Sequence, residues 1–319
     1  MNPSASGGQP IAVDCHYMGI ARRAAAYLLV ENGRAAFVDN NTSRAVPLLL
    51  DALAASGVAP EAVDYLIVTH VHLDHAGGTA ALLQRCLNAT VLAHPRAARH
   101  LADPARLVNS AKMVYGEDAF NRLYGVIEGV PASRVRAMAD NETLAWGART
   151  LRFLHTRGHA NHHVCVHDSG ANCIFSGDAF GIGRAPRERP GPSFLIAATA
   201  PPDFDPAAAR VAVQRILEAR PAAVCITHFG RTDEVPEDAR KLLRCIDLME
   251  AIVNRAVERR LEGGALDAYC LEQTSAALDD HLRWCGVTDF EGDRRFVEGD
   301  VALNAMGLAH LARKRMETQ

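Results

Sequence analysis

Residues 69–78 read Thr69-His70-Val71-His72-Leu73-Asp74-His75-Ala76-Gly77-Gly78. His70, His72, Asp74 and His75 are four potential metal donors. They come directly after Tyr65-Leu66-Ile67-Val68, an apolar run that predicts a short buried strand. Side chains alternate along an extended segment, so His70 and His72 point the same way. Asp74 and His75 stand where the chain turns into a helix opened by Gly77-Gly78, and they face the other side of one cavity. The glycines permit tight turning beside it.

Three single residues extend the pattern. His159 lies in Thr156-Arg157-Gly158-His159-Ala160-Asn161-His162-His163, Asp178 in Phe175-Ser176-Gly177-Asp178-Ala179-Phe180, and His228 after Val224-Cys225-Ile226-Thr227. Each is expected at the end of a strand, where loops gather on one rim. Imidazole and carboxylate suit zinc, iron or manganese, and none of the chain's eight cysteines falls at a donor position.

An HxHxDH motif, then GH, then GD, then a final histidine resembles the metallo-β-lactamase-fold hydrolase superfamily, in its glyoxalase II and lactonase-like branch. The likeness covers roughly residues 10–235. It implies an α/β fold, an αβ/βα four-layer sandwich with a dinuclear site. By that resemblance His70, His72 and His159 hold one metal, Asp74, His75 and His228 hold a second, and Asp178 bridges both. The implied cofactors are two divalent ions, zinc first, with iron or manganese accepted by the same donors. The implied activity is attack on a small ester, thioester or lactone by a metal-bridging hydroxide, which Asp74 helps to orient. Asp74 and Asp178 are thus the catalytic candidates.

The outer positions follow. His163 matches the second histidine of a GHxxxH pattern. His162 stands where thioesterase-type members often have glycine. Thr69 and Thr227 are expected to hydrogen-bond to ligand residues, because metal-bound histidines usually have an outer partner. Gly181-Ile182-Gly183-Arg184-Ala185-Pro186 replaces a glutathione-binding motif. Phe180 offers no hydroxyl where acyl-homoserine lactonases usually carry tyrosine. Two other activities share the ligand pattern. One is a mononuclear iron persulfide dioxygenase, which needs two histidines and an aspartate. The other is a phosphodiesterase.

Around this centre the 319-residue chain reads as a catalytic domain over 1–235 and a helical region over 236–319. A helical insertion at about 103–130 carries Met113, Tyr115, Phe120 and Tyr124. Ala25–Val30 and Ala35–Val38 flank Glu31-Asn32-Gly33-Arg34, a hairpin signal. Val135–His155 reads as strand with a turn at Trp146-Gly147, and 181–206 as a long loop. Selectivity is expected from the insertion, this loop and the C-terminal helices. Tyr115, Phe180, Arg184 and Arg231 are the candidate substrate contacts, with Arg187 and Arg189 in the same basic loop. His281 reads as a surface or helix residue.

Composition sets the outer bounds. Hydrophobic residues make up 49% and charged residues 22%, so the chain is globular. A net charge of −3 gives no basic field for a polyanion, which disfavours nucleic acid as a partner. No apolar run approaches the ~20 residues of a membrane span. The cysteines form no CxxC pair and read as reduced core thiols. Met1–Pro10 lacks the positive-then-apolar signature of a secretion signal, so a cytoplasmic location is expected. The expected partner is a small-molecule substrate, and the alanine- and leucine-rich C-terminal helices offer a homodimer face.

Overall fold

A computed structural model describes residues 8–184 and 191–318, with Arg184 in its backbone only. Two compact units emerge. The first comprises Met1–His155, His162–Gly177 and Thr227–Gly230, and the second Thr156–Asn161, Asp178–Ile226 and Arg231–Gln319.

The first unit begins with a six-stranded sheet in chain order: β1 (Ile11–Asp14), β2 (Ala25–Glu31), β3 (Arg34–Val38), β4 (Val63–Val68), β5 (Thr90–Ala93) and β6 (Val135–Ala137). The β2–β3 hairpin turns on Asn32 and Gly33, at φ 50° and 74°. Two successive positive φ angles match the right-handed strand twist, which is why an Asn-Gly pair serves there. From β3 onward the pairing is parallel. Each parallel step therefore needs a crossover, supplied by α1 (Val46–Ala55), by α2 (Leu73–Ala76) with α3 (Thr79–Leu83), and by α4 (Pro95–Ala102), α5 (Ala105–Tyr115) and α6 (Glu117–Tyr124). Leu28, Phe37, Leu66 and Val68 are essentially inaccessible in one core with Leu49 and Leu53 of α1. Full burial is worth about 1.5–3 kcal/mol per large apolar side chain. The strand ends that carry the histidine motif are fixed by this core.

A second run, β7 (Thr143–Trp146), β8 (Arg149–His155), β9 (Val164–Asp168) and β10 (Cys173–Phe175), is antiparallel. It faces the first sheet: the Tyr27 and Phe175 rings lie 5.4 Å apart, and the Trp146 indole donates to Asp64 at 2.8 Å. Fully buried Arg149 joins them, donating to Glu31 of β2 at 3.1 Å and Asp168 of β9 at 2.8 Å. The stretch 135–155 is thus divided between the sheets. Strand periodicity marks the faces of each segment but does not say which sheet takes it.

The second unit contains a hairpin of β11 (Ile182–Arg184) and β12 (Phe194–Ile196), then α7 (Pro206–Glu218), β13 (Ala223–Ile226), α8 (Val235–Glu258), α9 (Gly263–Trp284), α10 (Phe290–Phe296) and α11 (Glu298–Glu317). The two strands correct the expectation of a loop over 181–206 at 182–184 and 194–196, while 197–205 is loop as expected and 185–190 lie outside the described residues. Phe194-Leu195-Ile196 is a fully buried run that the surrounding glycines and prolines obscure. Arg187 and Arg189 lie outside the described residues, as does the side chain of Arg184. Leu242, Cys245, Ile246, Met249, Ile252, Val253 and Ala256 form the buried stripe of α8, at three- and four-residue spacing. His281 is a helix residue, in α9, and is fully buried. All eight cysteines are buried, and none is in a disulfide. No helix among the described residues is long and apolar enough to cross a membrane.

Candidate metal centre

Strands β3, β4 and β5 run parallel, so their C-terminal ends share one edge, where α/β sheets place ligands. β3 delivers Asp39 there, and β4 delivers Thr69 and His70. The next six residues carry the motif through an extended His72 (φ −62°, ψ 146°) into α2, where Asp74 and His75 lie in the first helical turn. His70 and His75 are fully buried, and their ring centroids are 4.0 Å apart; His72 lies 4.5 Å from His70.

Three donor atoms of the first unit converge. His75 Nε2 is 3.3 Å from His228 Nε2, and Asp74 Oδ2 is 3.4 Å from His228 Nε2 and 4.0 Å from His75 Nε2. The opposite ring nitrogens fix the tautomers. His228 Nδ1 lies 3.0 Å from the carbonyl of Arg23, which only accepts, so Nδ1 carries the proton. His75 Nδ1 donates to Asp39 at 2.8 Å. In the neutral rings both Nε2 atoms then present lone pairs to one another and to a carboxylate oxygen. Such a triangle repels itself unless a cation sits within it. Ligands about 2.1 Å from a tetrahedral metal stand roughly 3.4 Å apart, and two of the three separations match that, the third being 4.0 Å. The residues therefore fit a metal ion.

Asp39 holds this arrangement. It is buried and accepts from Thr69 N and Oγ1 at 2.9 Å, from Thr227 Oγ1 at 3.1 Å and from His75. Four donors offset the cost of burying a carboxylate, which unpaired runs to several kcal/mol. Thr69 and Thr227 thus reach His75 through Asp39, and the Thr69 hydroxyl also lies 3.2 Å from His70 Nδ1. The following segment clamps the motif: Asn40 N donates to the His75 carbonyl, and Asn41 Nδ2 to the Asp74 carbonyl, each at 2.9 Å. Asp39 and Asn41 both sit at φ 56°, the left-handed region that Asp and Asn tolerate best. The sequence reading missed Asp39. Its signal was an aspartate closing the apolar run Ala35-Ala36-Phe37-Val38, followed by two asparagines.

On the antiparallel side, His163 precedes β9 and Gly177 follows β10. His163 is fully buried, its ring stacked 5.0 Å from His70. A Cβ on Gly177 would come within 2.6 Å of His163 Nε2 and 2.7 Å of Thr69 Oγ1, at φ +47°. The GD motif therefore needs its glycine for close approach. His162 stacks 6.3 Å from His70.

In the second unit, His159 Nδ1 donates to the Ala198 carbonyl at 3.0 Å, which leaves the Nε2 lone pair 3.4 Å from Asp178 Oδ2. With the ring neutral, this is the same facing of a nitrogen lone pair and a carboxylate oxygen that a cation bridges. Gly158, at φ +134°, packs so closely on α7 that a Cβ would meet Ala209 Cα at 2.4 Å. His159 and Asp178 border a cavity of about 280 Å³, including space open to solvent, with Arg157, Phe204, Leu242 and Ile246.

The substrate candidates divide. Phe180 is fully buried, and Arg231 donates to Asp233 at 3.0 Å. Tyr115 is 36% exposed, its ring 5.8 Å from that of Tyr124. The insertion packs as a cluster of Phe120 and Tyr124 with Tyr17, Ala24 and Leu73. Tyr17, not anticipated from the sequence, brings its hydroxyl within 3.0 Å of the Tyr124 hydroxyl. Burial, and then the charge of Asp74, pushes the Tyr17 phenol well up; burial, then Tyr17 and Asp74, does the same for Tyr124.

Solved structures share the fold. An archaeal metallo-β-lactamase superfamily protein from Sulfolobus tokodaii matches with a TM-score of 0.64 and 21% identity, over 94% of this chain and 97% of its own. A metallo-β-lactamase family protein from Thermus thermophilus matches with 0.62 and 20%, over 97% and 93%. In sequence, a metallo-β-lactamase fold-containing protein of Sulfurisphaera tokodaii is 27% identical over 191 residues, 57% of this chain and 68% of that protein. A hydroxyacylglutathione hydrolase of Anaeromyxobacter dehalogenans is 37% identical over 124 residues, which is 38% of this chain and 46% of that enzyme. The family model of the metallo-β-lactamase superfamily matches residues 20–228, the span that carries all seven candidate donors, and this chain belongs to that superfamily.

Proposed function

We propose that the protein is a metal-dependent hydrolase of small esters, thioesters or lactones. In this reading His70, His72, Asp74, His75 and His228 act with His159 and Asp178 to hold two divalent cations, zinc first. The observation that carries it is the set of lone pairs on His75, His228 and Asp74, at separations suited to metal coordination. The pair of His159 and Asp178 in the second unit has the same chemistry. Similarity to a hydroxyacylglutathione hydrolase supports hydrolysis over other activities of the fold.

When bound, the cations supply Lewis acidity to an acyl oxygen and bring the pKa of a water near 7. The chain's own residues do the rest. Asp39 fixes His75 as the tautomer with Nε2 unprotonated, and the Arg23 carbonyl does so for His228. The Asp74 carboxylate orients the attacking water by accepting a hydrogen bond from it. Buried walls on β3 and β4 keep the donor geometry unchanged as charge develops on the acyl oxygen.

The test is hydrolysis of an acyl-glutathione thioester, γ-decalactone and 4-nitrophenyl butyrate before and after chelation, with zinc, manganese or iron added back. At least one substrate is expected to turn over, to stop on chelation and to recover with metal. Hydrolysis that survives complete metal removal overturns the proposal. So does a single iron per chain with oxygen uptake on a persulfide, which is the signature of the dioxygenase alternative.

A further inference from the structure

Tyr17 and Tyr124 come from segments 107 residues apart, yet their hydroxyls meet at 3.0 Å with both residues buried. Two hydroxyls carry two hydrogens, and one is consumed between them. Among the described residues neither hydroxyl makes another hydrogen bond, so one buried O–H lacks a protein acceptor. An unmet buried donor costs about 1–3 kcal/mol, so its retention calls for a ligand or function.

The backbone is arranged to hold it. Tyr17 sits between His16 at φ 47° and Met18 at φ 59°, both left-handed and neither a glycine. Such conformations cost of order 1–3 kcal/mol each and persist where surrounding bonds enforce them. Here Asp14 accepts from His16 N at 3.0 Å and Arg22 N at 2.8 Å, closing the turn. Tyr124 is anchored independently: its carbonyl accepts from Ser43 Oγ at 3.2 Å, and its ring packs 5.3 Å from Phe120. The pair shares a packed cluster with Leu73, the residue before Asp74, and feels the Asp74 charge.

We propose that Tyr124 donates to Tyr17, and that the Tyr17 O–H donates to the acyl oxygen of a bound ester or lactone beside Asp74. This rests on the hydrolase reading. Tyr17 is a substrate-touching donor and Tyr124 its positioning partner. Both phenols stay neutral at ordinary pH, so the pair is a fixed dipole that binds the oxygen more tightly as it gains charge. That is the pattern that raises kcat rather than lowering KM.

The experiment compares wild type, Tyr17→Phe and Tyr124→Phe as metal-loaded enzymes on 4-nitrophenyl butyrate and γ-decalactone, with metal content and Tm measured alongside. Loss of one such donor lowers kcat about 100-fold, so Tyr17→Phe should fall by that order. Tyr124→Phe should fall by less, because its partner's hydroxyl remains. KM, metal content and Tm should stay near wild type. Turnover by wild type with the Tyr17→Phe kcat within twofold overturns the inference alone, as does a kcat loss matched by lost metal or lowered Tm. A wild type inactive on every acyl substrate overturns the hydrolase reading, and the inference with it.

Discussion

His75 Nδ1 lies 2.8 Å from Asp39 Oδ2, both residues almost wholly removed from solvent, and that contact decides which nitrogen of His75 is left for a metal. Asp39 reads as an ordinary strand-end carboxylate in the sequence. In the fold it joins Thr69, His75 and Thr227, and so ties the motif loop to the segment that carries His228.

Asp39→Asn tests that role at constant shape, since asparagine tolerates the φ of 56° at this position. An amide cannot accept all four donors. Outer partners of metal histidines are worth about 10–100-fold in affinity. Competition with a chromophoric chelator should show a loss of that size, with the fold retained by circular dichroism. Unchanged affinity would remove Asp39 from the account.

Gly177→Ala should destabilise the protein by about 1–3 kcal/mol. The new methyl would press on His163 and Thr69 in a left-handed backbone. Urea unfolding measures the loss, and wild-type stability in the variant would show that the close approach is not needed.

Arg149 ties the two sheets through two buried carboxylates. Arg149→Ala strands Glu31 and Asp168 and should cost about 3–5 kcal/mol. The triple variant Glu31→Gln, Arg149→Met, Asp168→Asn should recover much of it. If the triple variant is no more stable than the single one, stranded charge is not the cause.

His281 gives a pH signature. Burial, and the Arg244 guanidinium beside Nδ1, hold its pKa down to about 4, from 6.5, against the opposing bond from Nε2 to the Leu195 carbonyl. Above pH 6.5 neither folded nor unfolded chains protonate it, and its contribution is complete. Between pH 6.5 and 4 only the unfolded chain takes the proton, so stability falls; below 4 the loss levels off. A shift of this size corresponds to roughly 3 kcal/mol. Unfolding midpoints followed from pH 7.5 to 4 should drop less steeply in His281→Gln. Parallel curves would contradict the assignment.

The histidine and aspartate motifs that converge in the candidate site were legible because they are dense local patterns after apolar strands. GH and GD each pair a liganding type with a glycine, and HxHxDH is followed by Gly77-Gly78, marks that sequence alone can show. The hairpin at Asn32-Gly33 and the helices after Pro236 were legible for the same reason, as local turn and period signals. Asp39 and Tyr17 were not, because each acts through a partner far along the chain. Neither His75 to Asp39 nor Tyr17 to Tyr124 leaves a spacing to read. The β11–β12 hairpin escaped because three-residue strands amid glycine and proline carry too short a period.

The most direct test of the dinuclear hydrolase reading is metal content per chain, on protein purified without nickel resin and without added metal, alongside Asp178→Ala. Close to two equivalents of zinc, manganese or iron in the wild type, with marked loss in the variant, is the predicted result. A wild type that holds one equivalent or fewer after metal supplementation would contradict it.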